Sequence, residues 1–237
     1  MLGVSTYCLH GEPLDSALEQ LSGITSMVEV MDEGYHFLVD TSILEAYPFH
    51  YTIHAPYHGI NIASLFETIR RASIEVTLDC FSVAAEIGAN VVVHPGYYAW
   101  EQERSSARVQ FNKSLRELSC AAEDLSMAFY FENMGDMDYF LLRTPGELDL
   151  LGDAGFALDV GHANLNNCLA AFLETPIDHM HIHDNKGRKD THSAIGEGNI
   201  DFGDVMETLQ RGHVTPVLEV ATFEGVVRSI EALEQIR

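Results

Sequence analysis

Histidines and carboxylates recur at one kind of place in this chain, the ends of short apolar runs. His54 closes YTIHA, His94 closes NVVVHP, Glu132 closes AFYFEN and Asp159 closes FALDV; His181 lies in DHMHIH and Glu219 in TPVLEV. In a β-strand every second side chain faces the same side. Thr52 then shares a side with His54, Val92 with His94, Tyr130 with Glu132 and Val217 with Glu219. Phe129 and Phe131 face the other way, and His179, His181 and His183 alternate with Met180 and Ile182. Six ligand-type residues thus occupy the last inward positions of six consecutive strands. Gly161 lets the chain bend before His162, and the loop after the seventh run adds Asp190 and His192. Any one of these residues reads equally well as a satisfied core histidine or a solvated acid; their coincidence at one height does not. Burying several carboxylates together is costly unless cations neutralise them. Imidazole with carboxylate suits zinc, with manganese possible.

Side chains can meet at one height only if the strands lie side by side. Strands are expected over 2–9, 27–32, 51–55, 90–95, 128–133, 156–160, 178–183 and 215–220, the first beginning at the Met1 end. Helices are expected over 14–22, 42–47, 62–87, 104–125, 145–153, 167–174, 203–211 and 224–236, with Thr144 and Pro145 reading as a helix start. Eight strand–helix pairs without a linker or repeat predict an α/β fold of the (β/α)₈ TIM-barrel type, a single domain over 1–237. An open doubly wound sheet would carry fewer strands and a Gly-rich nucleotide loop, and no such loop is found.

The 237 residues match one such barrel. No apolar run approaches the ~20 residues of a membrane span, so no membrane partner is expected. The first residues lack the charged start and cleavage site of a signal peptide. Cys8, Cys80, Cys120 and Cys168 form no CxxC pair and read as reduced thiols of a cytoplasmic protein. The net charge of -23, from 36 acids and 13 Lys or Arg, argues against duplex DNA as a partner. Lys186, Arg188 and Lys189 concentrate three of those bases in one loop, where they could hold a phosphate. Tyr57, Tyr97, Tyr98 and Trp100 follow the third and fourth strands and could stack on a base or cover a sugar.

The segments HAPYHGINIA (54–63), VVVHPG (91–96), FEN (131–133), LDVGH (158–162), HIHDNKGRKDTHSAIGEGNIDF (181–202) and LEV (218–220) resemble the endonuclease IV and xylose isomerase-like barrel superfamily. Resemblance to endonuclease IV implies up to three zinc ions. One would be held by His54, His94 and a bridging Glu132; a second by Glu132, Asp159, His181 and Glu219; a third by His162, Asp190 and His192. It also implies phosphoester hydrolysis by metal-activated water, with Glu132 and Glu219 as catalytic carboxylates and Tyr57 matching a tyrosine beside the abasic gap. Three divalent ions outweigh the four carboxylates, which suits an anionic substrate. The substrate is then a small phosphorylated sugar or an abasic nucleic acid, with Tyr57, Lys186, Arg188 and Trp100 as candidate contacts.

The chain departs from the repair enzymes where they read DTCH and HLND. It has Asp159-Val160-Gly161-His162 and His181-Ile182-His183-Asp184 there. Its loop to Asp190 is shorter, as is the whole chain. The 31–36 loop is acidic where those enzymes carry a DNA-penetrating arginine. These departures weigh against DNA more than against the metal site. The isomerase and epimerase branch shares only Glu132, Asp159, His181 and Glu219. There the two glutamates flank a sugar or sugar phosphate and move a proton, and His54, His94, Asp190 and His192 would bind sugar or be structural. A third reading, a degenerate barrel that binds without turnover, fits an intact ligand set least well.

Overall fold

The computed structural model describes residues 2–135, 137–212 and 214–236; Met1 lies outside the described residues. Eight strands run in chain order: β1 (Gly3–Ser5), β2 (Met27–Met31), β3 (His50–His54), β4 (Asn90–Val93), β5 (Phe129–Glu132), β6 (Gly155–Asp159), β7 (His179–Ile182) and β8 (Pro216–Leu218). Each pairs in parallel with the next, and β8 returns to β1 through Gly3 opposite Val217 and Val4 opposite Leu218, closing a barrel. The helices are α1 (Leu14–Leu21), α2 (Glu67–Glu86), α3 (Arg104–Leu125), α4 (Val160–Leu165), α5 (Leu169–Leu173), α6 (Phe202–Gly212) and α7 (Phe223–Ile236). None of the described helices is long and apolar enough to cross a membrane.

Strand alternation divides the apolar from the chemical residues. Val28, Val30, Ile53, Val91, Phe129, Phe131, Leu158 and Ile182 join the buried layer under the helices. There Phe81 packs on Phe129 with ring centroids 5.2 Å apart, and Phe111 on Phe131 at 4.9 Å. The alternate positions face the barrel interior. Asp159 lies opposite His181, while Glu132 lies opposite Ala157, two residues before Asp159. Stagger of this kind goes with the tilt of barrel strands and lets their end residues gather at one mouth. The strands stop at or just before the ligand-type residues, so that His94, His183 and Glu219 are the first residues beyond β4, β7 and β8.

Several expected elements differ, each for a local reason. The first strand ends at Ser5 rather than residue 9. The Ser5 hydroxyl accepts the Tyr7 N–H, and Thr6–Leu9 turn into a 3₁₀ helix. Residues 42–47 form turns, not a helix. Asp40 accepts the Ser42 N–H and hydroxyl, and Pro48 disfavours helical backbone at Tyr47. The helix expected from 62 begins at Glu67, because Asn61 accepts the Ala63 N–H and Ser64 accepts the Phe66 N–H. Pro145–Leu151 is 3₁₀ rather than α, and Thr144 makes no side-chain cap. Of 167–174 only Leu169–Leu173 is helical, while α4 was not foreseen. Asp159 caps α4 by accepting the His162 N–H at 2.5 Å.

Two contacts fix loops at the mouth. Gly96 has φ +87°, and a Cβ there would come within 2.8 Å of the Ala63 backbone nitrogen. The HPG turn after β4 therefore lies directly on the loop after β3. After β2, buried Asp32 accepts the Leu38 N–H at 2.6 Å. Burial pushes the Asp32 carboxyl up to about 6, opposed by that hydrogen bond. A carboxyl with a raised folded pKa stabilises the fold in its protonated form. Its contribution is present below the unfolded value of about 4 and is lost as pH rises to about 6. Asp32→Asn should therefore raise Tm over wild type at pH 7–8, by about 2–4 °C per kcal/mol regained, and not at pH 4. A Tm difference that does not change with pH would contradict this assignment.

Candidate metal centre

The inward residues form a continuous web of imidazoles and carboxylates across the open end of the barrel. Glu132 is its hub. One oxygen lies 2.9 Å from His94 Nε2 and 3.4 Å from His54 Nε2; the other lies 2.8 Å from His181 Nδ1. Glu219 Oε2 lies 3.6 Å from His181 Nδ1 and 3.7 Å from His192 Nδ1. Asp190 Oδ2 receives His162 Nε2 at 3.0 Å and His192 Nε2 at 3.1 Å. All nine residues expected to bind metal are thus brought together. Ligand-type atoms group as His54, His94 and Glu132; as Glu132, Asp159, His181 and Glu219; and as His162, His183, Asp190 and His192.

The orientation of the rings is set from behind. His54 Nδ1 lies 2.9 Å from the Ala55 carbonyl, His162 Nδ1 2.9 Å from the Asn133 carbonyl, and His192 Nδ1 2.8 Å from the Glu219 carbonyl. A carbonyl only accepts, so each Nδ1 carries a proton and each Nε2 is aimed into the site. Outer partners of this kind orient metal-binding imidazoles. Asn133 ties two strand ends together: it accepts the Asp159 N–H at 2.7 Å and donates to the Asp159 carbonyl at 3.0 Å. Asp184 organises the loop that carries Asp190 and His192. Its carboxylate accepts the N–H groups of Asn185, Gly196, Gly198 and Ile200.

Three residues given no role in the sequence reading belong to this web. Glu29, fully buried on β2, lies 2.6 Å from His181 Nε2 and 2.9 Å from His179 Nε2. An acid inside the apolar run Val28-Glu29-Val30 was the available signal. His183 is the third. Its Nε2 lies 3.1 Å from both oxygens of Asp159.

The electrostatics follow from burial opposed by close charges. Burial penalises the Glu132 carboxylate, but His181, His54 and His94 hold it well below the usual range. Glu219 is raised, chiefly by burial and also by the Glu132 charge. Burial would lower His54 and His192, yet the neighbouring carboxylates push each up to about 9. His162 and His181 are raised the same way, by Asp159 and Glu29 first among the charges. Without metal, protons on imidazole supply the positive charge. Asp190 Oδ1 and His183 Nδ1 stay buried without a hydrogen-bond partner. The donor chemistry, the ring orientation and these orphaned atoms fit divalent metal ions of the zinc or manganese type.

A cavity of about 400 Å³ opens over the web, a size for small molecules. Its walls include Tyr7, Tyr57, Tyr97 and Tyr139. Tyr57 packs on His94 with centroids 4.7 Å apart, and Glu33 anchors its loop by accepting the Tyr57 and His58 N–H groups. The other expected substrate contacts lie elsewhere. Trp100 is 68% exposed, and Lys186 and Arg188 border a separate depression with Lys189 and Thr191.

A closed parallel barrel with histidine and carboxylate donors at the C-terminal ends of its strands defines the class of protein. Residues 41–236 match the xylose isomerase-like TIM barrel family, and the chain belongs to it. An uncharacterized protein of Methanocaldococcus jannaschii is 33% identical over 92% of this chain and 91% of its own length. A probable endonuclease 4 of Mycobacterium leprae is 30% identical over 68% of this chain and 69% of its own. The crystal structure of a D-tagatose 3-epimerase-like protein superposes with a TM-score of 0.92 at 30% identity, covering 99% of this chain and 96% of that one.

Metal uptake must displace the imidazole protons, so affinity should rise with pH between 6 and 8 as their displacement becomes easier. Elemental analysis of protein reconstituted with zinc or manganese should find two to three ions per chain. No more than a trace of metal, or an affinity that falls with rising pH, would contradict the arrangement.

Proposed function

We propose that this protein is a metal-dependent phosphoester hydrolase acting on a small phosphorylated sugar. The observation that carries the reading is the donor set beyond the central cluster. Isomerase chemistry calls only on Glu132, Asp159, His181 and Glu219, whereas His54 and His94 on one side, and His162, Asp190 and His192 on the other, add two further groups. Bound divalent metal would supply a nucleophilic water near neutral pH and stabilise negative charge on the leaving oxygen. Glu132 bridges the first two groups and fixes their spacing. Tyr57 excludes water from one wall and offers a ring face to the sugar. Lys186 and Arg188 lie outside the cavity, so they would attract an anion toward the mouth rather than grip it within.

A small substrate is favoured over abasic duplex. The net charge is -23, and the loop after β2 presents Glu33 beside His58 at the rim. The likeness to the mycobacterial endonuclease 4 supports the chemistry of the site, not the same polymer substrate.

A second reading, sugar or sugar-phosphate epimerisation or isomerisation, rests on a separate observation. Glu132 and Glu219 are both buried and both approach His181 Nδ1, a pair able to relay a proton across a sugar carbon. The likeness to the D-tagatose 3-epimerase-like protein supports it.

Metal-loaded protein should release inorganic phosphate from one or more members of a panel of sugar phosphates. It should leave an abasic oligonucleotide duplex uncut at physiological salt. Efficient duplex cleavage, weakening steeply with salt, would move the assignment to DNA repair. Solvent-hydrogen exchange at a sugar carbon without phosphate release would move it to the epimerase branch.

Glu132→Gln keeps the shape and removes the charge. It should lower kcat by ~10² or more while leaving the circular dichroism spectrum unchanged. Activity near wild type would mean that Glu132 is not at the reacting centre.

A further inference from the structure

Two of the motif positions where this chain departs from the repair enzymes meet in space. His183 stands where those enzymes have asparagine, and Gly161 where they have cysteine. A Cβ built on Gly161 would lie 2.0 Å from His183 Cε1, inside the imidazole ring's own space. Any residue larger than glycine at 161 would expel this ring. Gly161 has no other evident need to be glycine, since its φ is not positive. The glycine therefore opens the place that the histidine fills.

That place is at the third donor group. His183 is fully buried, and its Nε2 lies 3.1 Å from each oxygen of Asp159 and 3.9 Å from Asp190 Oδ1. Its ring stacks on His192 with centroids 3.9 Å apart and meets His162 edge-on at 6.0 Å. Three imidazoles thus crowd one carboxylate, Asp190. His162 and His192 both address its Oδ2, while its Oδ1 on the His183 side is buried with no hydrogen-bond partner. Hydrogen bonds alone leave that oxygen and His183 Nδ1 unsatisfied, at a cost of about 1–3 kcal/mol each. A cation among the four residues would use the oxygen and the inward-facing nitrogens together.

We propose that His183 is a fourth protein ligand of the metal ion held by His162, Asp190 and His192, with Gly161 the residue that admits it. The inference rests on the multinuclear reading of the site. Three histidines and one carboxylate complete the usual four-coordination of zinc. A site closed by four protein donors leaves no vacant position for substrate. Its ion would then hold Asp190 in place and set the local charge, and an open position for substrate is left at the three-donor group of His54, His94 and Glu132. This separates the chain from an arrangement with only three protein donors, His162, Asp190 and His192, at this group.

The test uses the full chain loaded with zinc and competed with a chromophoric chelator, metal content being read by elemental analysis. His183→Asn restores the residue of the repair enzymes. It should release one ion per chain at a free-zinc concentration about tenfold or more higher than wild type requires, with the remaining ions unchanged. Gly161→Ala leaves the His183 side chain chemically intact and should cause the same selective loss by displacing it. The double variant should lose no more than His183→Asn alone, because the obstructed ring is gone. Circular dichroism reports the fold of each variant, and either single variant suffices if the other does not fold. Three ions held with wild-type affinity by His183→Asn would overturn the proposal and leave the multinuclear reading intact. A wild-type chain that never binds at the third group would overturn both.

Discussion

The Glu132 carboxylate is the constraint around which the barrel mouth is arranged. It is 1% exposed, yet three imidazoles from three other strand ends reach it within 3.4 Å. A lone carboxylate in that position would be heavily penalised by desolvation. It is tolerable only because β3, β4 and β7 each deliver a histidine at the same height. That requirement fixes register, and a shift of one residue in any of these strands would send its histidine under the helices. Parallel pairing without bulges from β3 through β7 meets the condition.

Rigidity comes from a second layer of polar contacts rather than from the apolar core. The carbonyls of Ala55, Asn133 and Glu219 hold three imidazoles by their Nδ1 protons. Glu29 does the equivalent for His181 from across the barrel. Asp184 gathers four backbone N–H groups, so the 185–200 loop presents Asp190 and His192 without regular secondary structure of its own. Such preorganisation gives loop residues the precision that catalytic and metal sites need.

How much of this was legible in the sequence depended on whether the signal was local. Strand alternation with a terminal histidine or acid is local, and it placed His54, His94, Glu132, Asp159, His181 and Glu219 correctly at the barrel mouth. His162, Asp190 and His192 were placed near the mouth by the bend at Gly161 and the loop after the seventh strand; their grouping as one donor set came from motif likeness, and their convergence needed the fold. Glu29 was missed because its partners stand on β7, about 150 residues later in the chain and across the barrel. Residues 42–47 and 62–66 were misread as helix. Asp40, Asn61 and Ser64 bind nearby backbone N–H groups there, a choice that helical periodicity does not register. Lys186 and Arg188 were expected near substrate because, with Lys189, they concentrate three of the 13 bases in one rim loop. The Asp184-centred fold of that loop turns them toward a different depression.

The contrast between an acidic surface and a site built for cations bears on what can reach it. At physiological ionic strength charges are screened beyond about 8 Å. A small anion inside the 400 Å³ cavity would therefore sense mainly the imidazoles lining it and any cation they hold, and little of the outer surface. A duplex must instead lie across the rim, over Glu33, where the three bases Lys186, Arg188 and Lys189 are few against a net charge of -23. On the proposed reading, the charge of the surface around the site restricts it to small substrates. Selection of that kind acts before the catalytic groups are engaged, and so it can change while the web around Glu132 stays the same.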